Sequence, residues 1–271
     1  MDDSCIDCGM CRDLAPATFA WSPRGRSHVA RQPGSPMEKG RAGIALVSCP
    51  TASIGSALRG DFGAAAALLP ETILDGVAHC GFADEGTFGA ASYFVEAASG
   101  NVLVDSPRPT GRLLRRLEER GGVARHLLTH RDDVGAHGLL HERFSCERVL
   151  HRADLSADTR AVERVLEGSD VVALAPDLLA IPVPGHTPGS VAYLYDGRVL
   201  FSGDHLFATE EGDHLDASRE VCWYSWKAQT RSMRALLEFD FEWVLPGHGA
   251  RHQAPAPRMR QDLEDLIARM A

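Results

Sequence analysis

The chain has 271 residues, of which 44% are hydrophobic and 24% charged, the profile of an ordinary folded domain or two. A formal charge of −9 and a pI near 5.7 argue against nucleic acid or an anionic membrane surface as partners. No run of 18 apolar residues offers a transmembrane helix, and the opening Met1-Asp2-Asp3-Ser4 has neither the basic start nor the apolar core of a signal peptide, so the expected location is the cytoplasm.

In chain order, residues 1–60 are rich in Cys, Gly, Pro and Arg and show little long periodicity. The segment 61–72, with Ala64-Ala65-Ala66-Ala67 and Pro70, reads as a linker or short helix, which leaves 73–271 as a second domain. There, 92–97 and 102–105 read as strands, and 111–120 as an amphipathic helix with Leu113, Leu114 and Leu117 on one face. A strand over 123–129 ends at His130; 148–151 is a short strand and 157–166 a helix. Strands over 178–184, 191–195 and 199–202 follow, the last two joined by an Asp196-Gly197 hairpin turn. A helix over 230–237, a strand over 243–245 and a closing helix over 259–270 complete a pattern that suggests an α/β sandwich.

Seven cysteines are present, three of them packed into Cys5-x-x-Cys8-x-x-Cys11. Without a secretion signal, such clustering points to metal binding rather than disulfides. The run is the iron-binding run of bacterial ferredoxins, which usually continues with three residues and Cys-Pro. Here that position is Ala15, followed by Pro16, so the cysteine that would serve a second cluster is gone. Cys49, followed by Pro50, is then the fourth ligand of a single cluster. Thiolates suit this task because they are soft, charged donors that share electron density with iron. Zinc sites more often pair two Cys-x-x-Cys knuckles, and this spacing fits iron–sulfur better. A three-iron cluster would need only three of the thiolates. Residues 1–60 resemble single-cluster ferredoxins, which implies one 4Fe–4S cluster on Cys5, Cys8, Cys11 and Cys49 and a small α+β ferredoxin-like domain. Cys80, Cys146 and Cys222 read as ordinary apolar or loop cysteines.

Three further pieces each place a ligand-type side chain on a glycine-rich turn after a strand, where backbone can approach a metal closely. They are Pro184-Gly185-His186-Thr187-Pro188-Gly189, Ser202-Gly203-Asp204-His205 and Pro246-Gly247-His248-Gly249. In this order and spacing, 73–271 resembles the metallo-β-lactamase superfamily, including glyoxalase II-like hydrolases. The resemblance implies an αββα sandwich in which His186 ligates one metal, Asp204 bridges two and His248 ligates the second. The remaining family motif is His-x-His-x-Asp-His, and Thr129-His130-Arg131-Asp132-Asp133-Val134-Gly135-Ala136-His137 departs from it. With His130 as the first histidine, Asp132 takes the place of the second. With Asp132-Asp133-Val134-Gly135 matched to Asp-His-x-Gly, Asp133 replaces a histidine and the first falls on Leu128. Under either alignment His137 is a candidate imidazole, about two helical turns beyond His130. The candidate metal set is therefore His130, Asp132, Asp133, His137, His186, Asp204 and His248, with Asp132 also a candidate to orient a water. More carboxylate makes such a site harder and shifts preference from zinc towards iron or manganese.

His205 reads as a neighbour of Asp204; His79, His141, His151, His214 and His252 read as structural or surface groups, with His151 the one alternative candidate among them. Trp223, Tyr224 and Trp226 lie between two ligand-bearing strands and suit either a substrate pocket or the core. Three functions fit. One is a metal-dependent hydrolase of an ester, thioester, lactone or amide, using one or two metal ions and a small-molecule substrate. A second is a non-haem di-iron oxidoreductase fed by the ferredoxin domain, with a redox protein as partner. Flavodiiron enzymes are similar in idea but draw on a flavodoxin-like domain that this chain lacks. The third is a non-enzymatic redox or iron sensor.

Overall fold

The computed structural model describes residues 1–23, 25–57 and 62–271. The N-terminal unit begins with the short helix Met10–Leu14, then a hairpin of Phe19–Ser22 and Arg26–Val29, then the helix Pro36–Ser48. That last helix was hidden by its glycines, yet its start is well signalled. Pro36 takes the first turn, where its missing N–H costs nothing. The Ser35 side chain accepts from the Glu38 backbone N–H, and Glu38 reaches back to the Ser35 N–H, which is a capping box.

Two sheets form the second unit. The first has seven strands in sequence order, from Glu71–Leu74 to Arg164–Leu166, antiparallel over the first four and parallel thereafter. The second has six, from Val172–Ala175 to His252–Gln253, with Val199–Gly203 and Trp243–Pro246 pairing in parallel. Their inner faces meet through Tyr93 and Phe201, whose rings are 5.4 Å apart. Each buried tyrosine hydroxyl is satisfied across the layers: Tyr93 donates to Pro246 O (2.7 Å) and Tyr193 to Leu128 O (3.0 Å). The helix Gly111–Glu119 buries Leu113 and Leu117 against the first sheet's core. Trp226–Ala235 and Ala256–Met270 cover the other sheet with Met233, Met259, Leu263 and Leu266. The expected αββα sandwich is present. No helix among the described residues is long and apolar enough to cross a membrane.

The expected linker 61–72 begins at Asp61, outside the described residues, and ends inside the strand Glu71–Leu74, with the short helix Gly63–Ala66 between. The expected helix over 157–166 is absent: the side chains of Ser156 and Thr159 bond each other's backbone in a turn, and Arg164–Leu166 is a strand beside Glu147–His151. Finally, the two units share one core, in which Met10, Leu14, Phe19 and Ile44 join Val77, Phe94 and Leu103. Arg108 seals the seam by donating to Val47 O (3.1 Å) and Pro50 O (3.3 Å), at the end of the 36–48 helix.

Candidate metal centre

The ligand-type side chains stand on turns just past strand ends, at one edge of the sandwich. His130 follows Arg125–Leu127, His186 follows Leu178–Pro182, Asp204 follows Val199–Gly203 and His248 follows Trp243–Pro246. Gly247 lets the turns close on one another: a Cβ there would lie 2.8 Å from both Asp133 Oδ2 and Asp204 Oδ1. Gly203 adopts φ +52° against Thr129, where a Cβ would lie 2.6 Å from the threonine oxygen.

Two sets of ligand atoms converge within 4.8 Å: His130, His186 and Asp204, and then Asp133, Asp204 and His248. Asp204 belongs to both. Asp132 lies on the first side, with Oδ2 3.4 Å from His186 Nε2 and 4.0 Å from His130 Nε2, and is 44% exposed. Asp133 lies on the second side and is buried. The two carboxylates left open by the sequence thus face opposite halves of the site.

His137 is not brought to it. Arg131–Asp133 is a single 3₁₀ turn that breaks at Gly135 (φ +39°), so the seven residues from His130 do not make two continuous helical turns. His137 instead opens a new helix, His137–Phe144, and its Nδ1 accepts from Arg148 Nη1 at 3.1 Å. His205 is buried with no ring hydrogen bond, and His151 is occupied by Gly168 O and the Ala153 N–H.

A cation fits what these residues present. His130 Nε2, both ring nitrogens of His186 and Asp133 Oδ2 are buried and have no hydrogen-bond partner, an arrangement that is costly unless something else satisfies them. Burial raises Asp133 well above the usual carboxylate range, and the nearby Asp204 raises it further. Burial also pushes His130 down to about 4, so its imidazole is neutral and available as a donor. Although burial opposes it, the facing charges of Asp204 and His248 hold the carboxyl low and the imidazole high, with Nδ1 2.9 Å from Oδ1.

Two groups that orient the ligand-type side chains escaped the sequence reading. Asp105 accepts from the Thr129 N–H (2.8 Å) and Oγ1 (3.0 Å). That hydroxyl in turn lies 3.0 Å from His130 Nδ1. Asp154 accepts from the N–H groups of Arg131 (3.0 Å) and Gly189 (2.8 Å) and from the Thr187 hydroxyl, tying the His130 turn to the His186 turn. Phe88, 58% exposed, and Trp223, 61% exposed, flank the opening, with rings 6.3 Å from His248 and 6.2 Å from His186 respectively.

At the N-terminal unit, Cys5, Cys8, Cys11 and Cys49 line one small hollow with Ile6 and Gly9. Four thiols around one hollow match what a cubane cluster requires. Burial pushes the thiols of Cys8 and Cys11 up to about 12 and about 11, so they would be protonated unless a cation displaced the protons. Cys80 and Cys146 are buried elsewhere in the core.

The fold and this site define a metal-binding αββα sandwich joined to a four-cysteine unit. Residues 86–248 match the model of the metallo-beta-lactamase superfamily, and the chain belongs to that superfamily; residues 1–56 match the 4Fe-4S single cluster domain of Ferredoxin I. Among curated proteins it is similar to a hydroxyacylglutathione hydrolase of Bradyrhizobium sp. (strain ORS 278), 31% identical over 48% of this chain and 52% of the relative. It is also similar to one of Xanthomonas campestris pv. campestris (strain B100), 34% identical over 41% of this chain and 44% of the relative. The chain thus spans about half the length of the curated relatives it matches. The structure is similar to that of the metallo-beta-lactamase DIM-1, with a TM-score of 0.56, 16% identity and coverage of 74% of this chain and 97% of that one.

Proposed function

We propose that the protein is a metal-dependent hydrolase of an ester, thioester, lactone or amide, with His130, Asp132 and His186 on one metal, Asp133 and His248 on a second, and Asp204 between them. The observation that carries this reading is the convergence of two ligand sets on Asp204, with buried ring nitrogens that have no other partner. When bound, the metal ions would acidify a water and polarise the scissile carbonyl. Asp132, half-open to solvent beside His186, is the group placed to orient that water. Asp105, acting through Thr129, holds the His130 ring. Phe88 and Trp223 provide apolar walls for the acyl part of a substrate. The hydroxyacylglutathione hydrolases it resembles make a glutathione thioester the first substrate to try. Cys5, Cys8, Cys11 and Cys49 hold one 4Fe–4S cluster in this proposal.

The experiment is hydrolysis of a panel of glutathione thioesters, aryl esters and lactones by anaerobically purified protein, with metal content measured on the same sample. Turnover that is lost on chelation, restored by divalent metal and reduced at least tenfold in Asp132→Asn supports the reading. Fully metallated protein that cleaves none of the panel overturns it.

A further inference from the structure

The four-cysteine hollow and the metal centre are separated by one peptide unit. Gly89 is packed so tightly on Cys8 that a Cβ there would lie 2.8 Å from the Cys8 sulfur and 3.1 Å from Pro50. Its conformation, φ +85°, is one that side chains rarely adopt. The preceding residue, Phe88, is also left-handed (φ 53°, ψ 21°), and its carbonyl oxygen lies 3.3 Å from His248 Nε2. With Nδ1 turned to Asp204, Nε2 is the nitrogen that donates to that carbonyl. The carbonyl therefore holds the Nε2 proton and the tilt of a proposed metal ligand, leaving Nδ1 as the nitrogen for a metal, as an orienting acceptor does. Both ends of this loop are pinned. Ala83 N donates to Ser48 O (3.1 Å) beside Cys49, and Ala91 N donates to Gly247 O (2.7 Å) beside His248.

We propose that the Phe88–Gly89 peptide is an electron route from the four-cysteine site to the His248 side of the metal centre. It joins the Cys8 sulfur to the His248 imidazole by one van der Waals contact, a few covalent bonds and one hydrogen bond. The metal set itself favours a redox-active occupant, because three carboxylates beside three imidazoles make a hard site that suits iron. The transfer is a single electron with no change of bonds. With a cluster held by Cys5, Cys8, Cys11 and Cys49 and iron held at His248, the electron lost by a 1+ cluster, which would become 2+, would be the one that takes ferric iron to ferrous. A low-potential one-electron donor from outside the chain then reduces the cluster again. The proposal rests on the ligand sets given above and is independent of which bond the centre cleaves.

The full chain, with its cluster intact, is loaded after purification with Mössbauer-active iron. It is oxidised mildly until that iron is ferric, then given one electron per chain by photoreduction. Mössbauer spectra follow the added iron and electron paramagnetic resonance follows the cluster. The expected result is a ferrous signal growing as the reduced-cluster signal decays, with one first-order rate constant over a tenfold range of protein concentration. In Asp204→Ala, which should keep the cluster and lose the added iron, the reduced-cluster signal should persist. Any of three results overturns the proposal: added iron that stays ferric beside a reduced cluster, a rate that rises with protein concentration, or a centre that takes zinc and excludes iron. A centre that binds no metal of any kind removes the ligand assignment and the electron route with it, whereas hydrolysis with zinc alone leaves the hydrolase reading standing.

Discussion

His130 has one ring nitrogen committed and one free. The Thr129 hydroxyl gives its proton to Asp105, so it can only accept from His130 Nδ1, which leaves Nε2 bare towards Asp204. Such outer partners commonly matter roughly ten- to a hundred-fold in metal affinity. Thr129→Val should weaken metal binding by about that factor in chelator competition, and Thr129→Ser should restore most of it. Equal affinity in the valine and native proteins would remove Asp105 and Thr129 from the site's support.

His79 is a residue of another kind. It is buried, neither ring nitrogen has a hydrogen-bond partner, and burial, then Arg251 and Arg41, hold its pKa well below the usual value. The unfolded chain takes up a proton near pH 6.5 that the folded chain refuses. Stability is therefore full above that pH and falls as pH drops towards the folded value, by up to about 1.4 kcal/mol per unit. Between pH 7.5 and 5.5 the thermal midpoint of the native chain, measured anaerobically, should fall further than that of His79→Leu. Parallel losses in the two proteins would show that His79 does not contribute.

At the scale of elements, the site depends on turns with almost no spare volume. Gly247 is where the strand Trp243–Pro246 gives way to the His248 turn, and the carboxylates of Asp133 and Asp204 occupy the place of its missing side chain. Gly247→Ala should displace both carboxylates and lower metal stoichiometry on the Asp133–His248 side while leaving the visible absorption of the proposed cluster unchanged. Unchanged stoichiometry would mean that the turn can shift without cost.

Across the whole molecule, the four-cysteine unit behaves as part of one body. Apolar residues of its helices, Leu14 and Ile44 among them, lie in the same core as the first sheet. The Arg41–Glu71 and Arg12–Glu210 ion pairs and the Arg108 bonds cross the same seam. Splitting the units would expose that core to water, at about 25 cal/mol per Å² of apolar surface. Even where a protease nicks the chain between the units, the two parts should co-elute on size exclusion under anaerobic conditions. Separate elution of a stable, coloured N-terminal fragment would show that the units fold apart.

What the sequence determined by itself was chemistry carried by local order. Cys5, Cys8 and Cys11 at fixed spacing, Ala15 in place of a cysteine, and three glycine turns bearing His186, Asp204 and His248 are readable because each ligand-type side chain brings its own backbone requirement with it. The sandwich followed from alternating strands and helices, apart from elements whose signals competed, such as the glycine-bearing helix Pro36–Ser48 and the side-chain-bonded turn at 156–159. Tertiary structure alone decided that Asp132 and Asp133 face opposite halves of the site and that His137 leaves it for Arg148. It alone brought Asp105, Asp154 and the Phe88 carbonyl to their partners. Those relations join residues 11 to 160 positions apart. They depend on packing between layers, and no local periodicity or spacing records which distant groups that packing will press together.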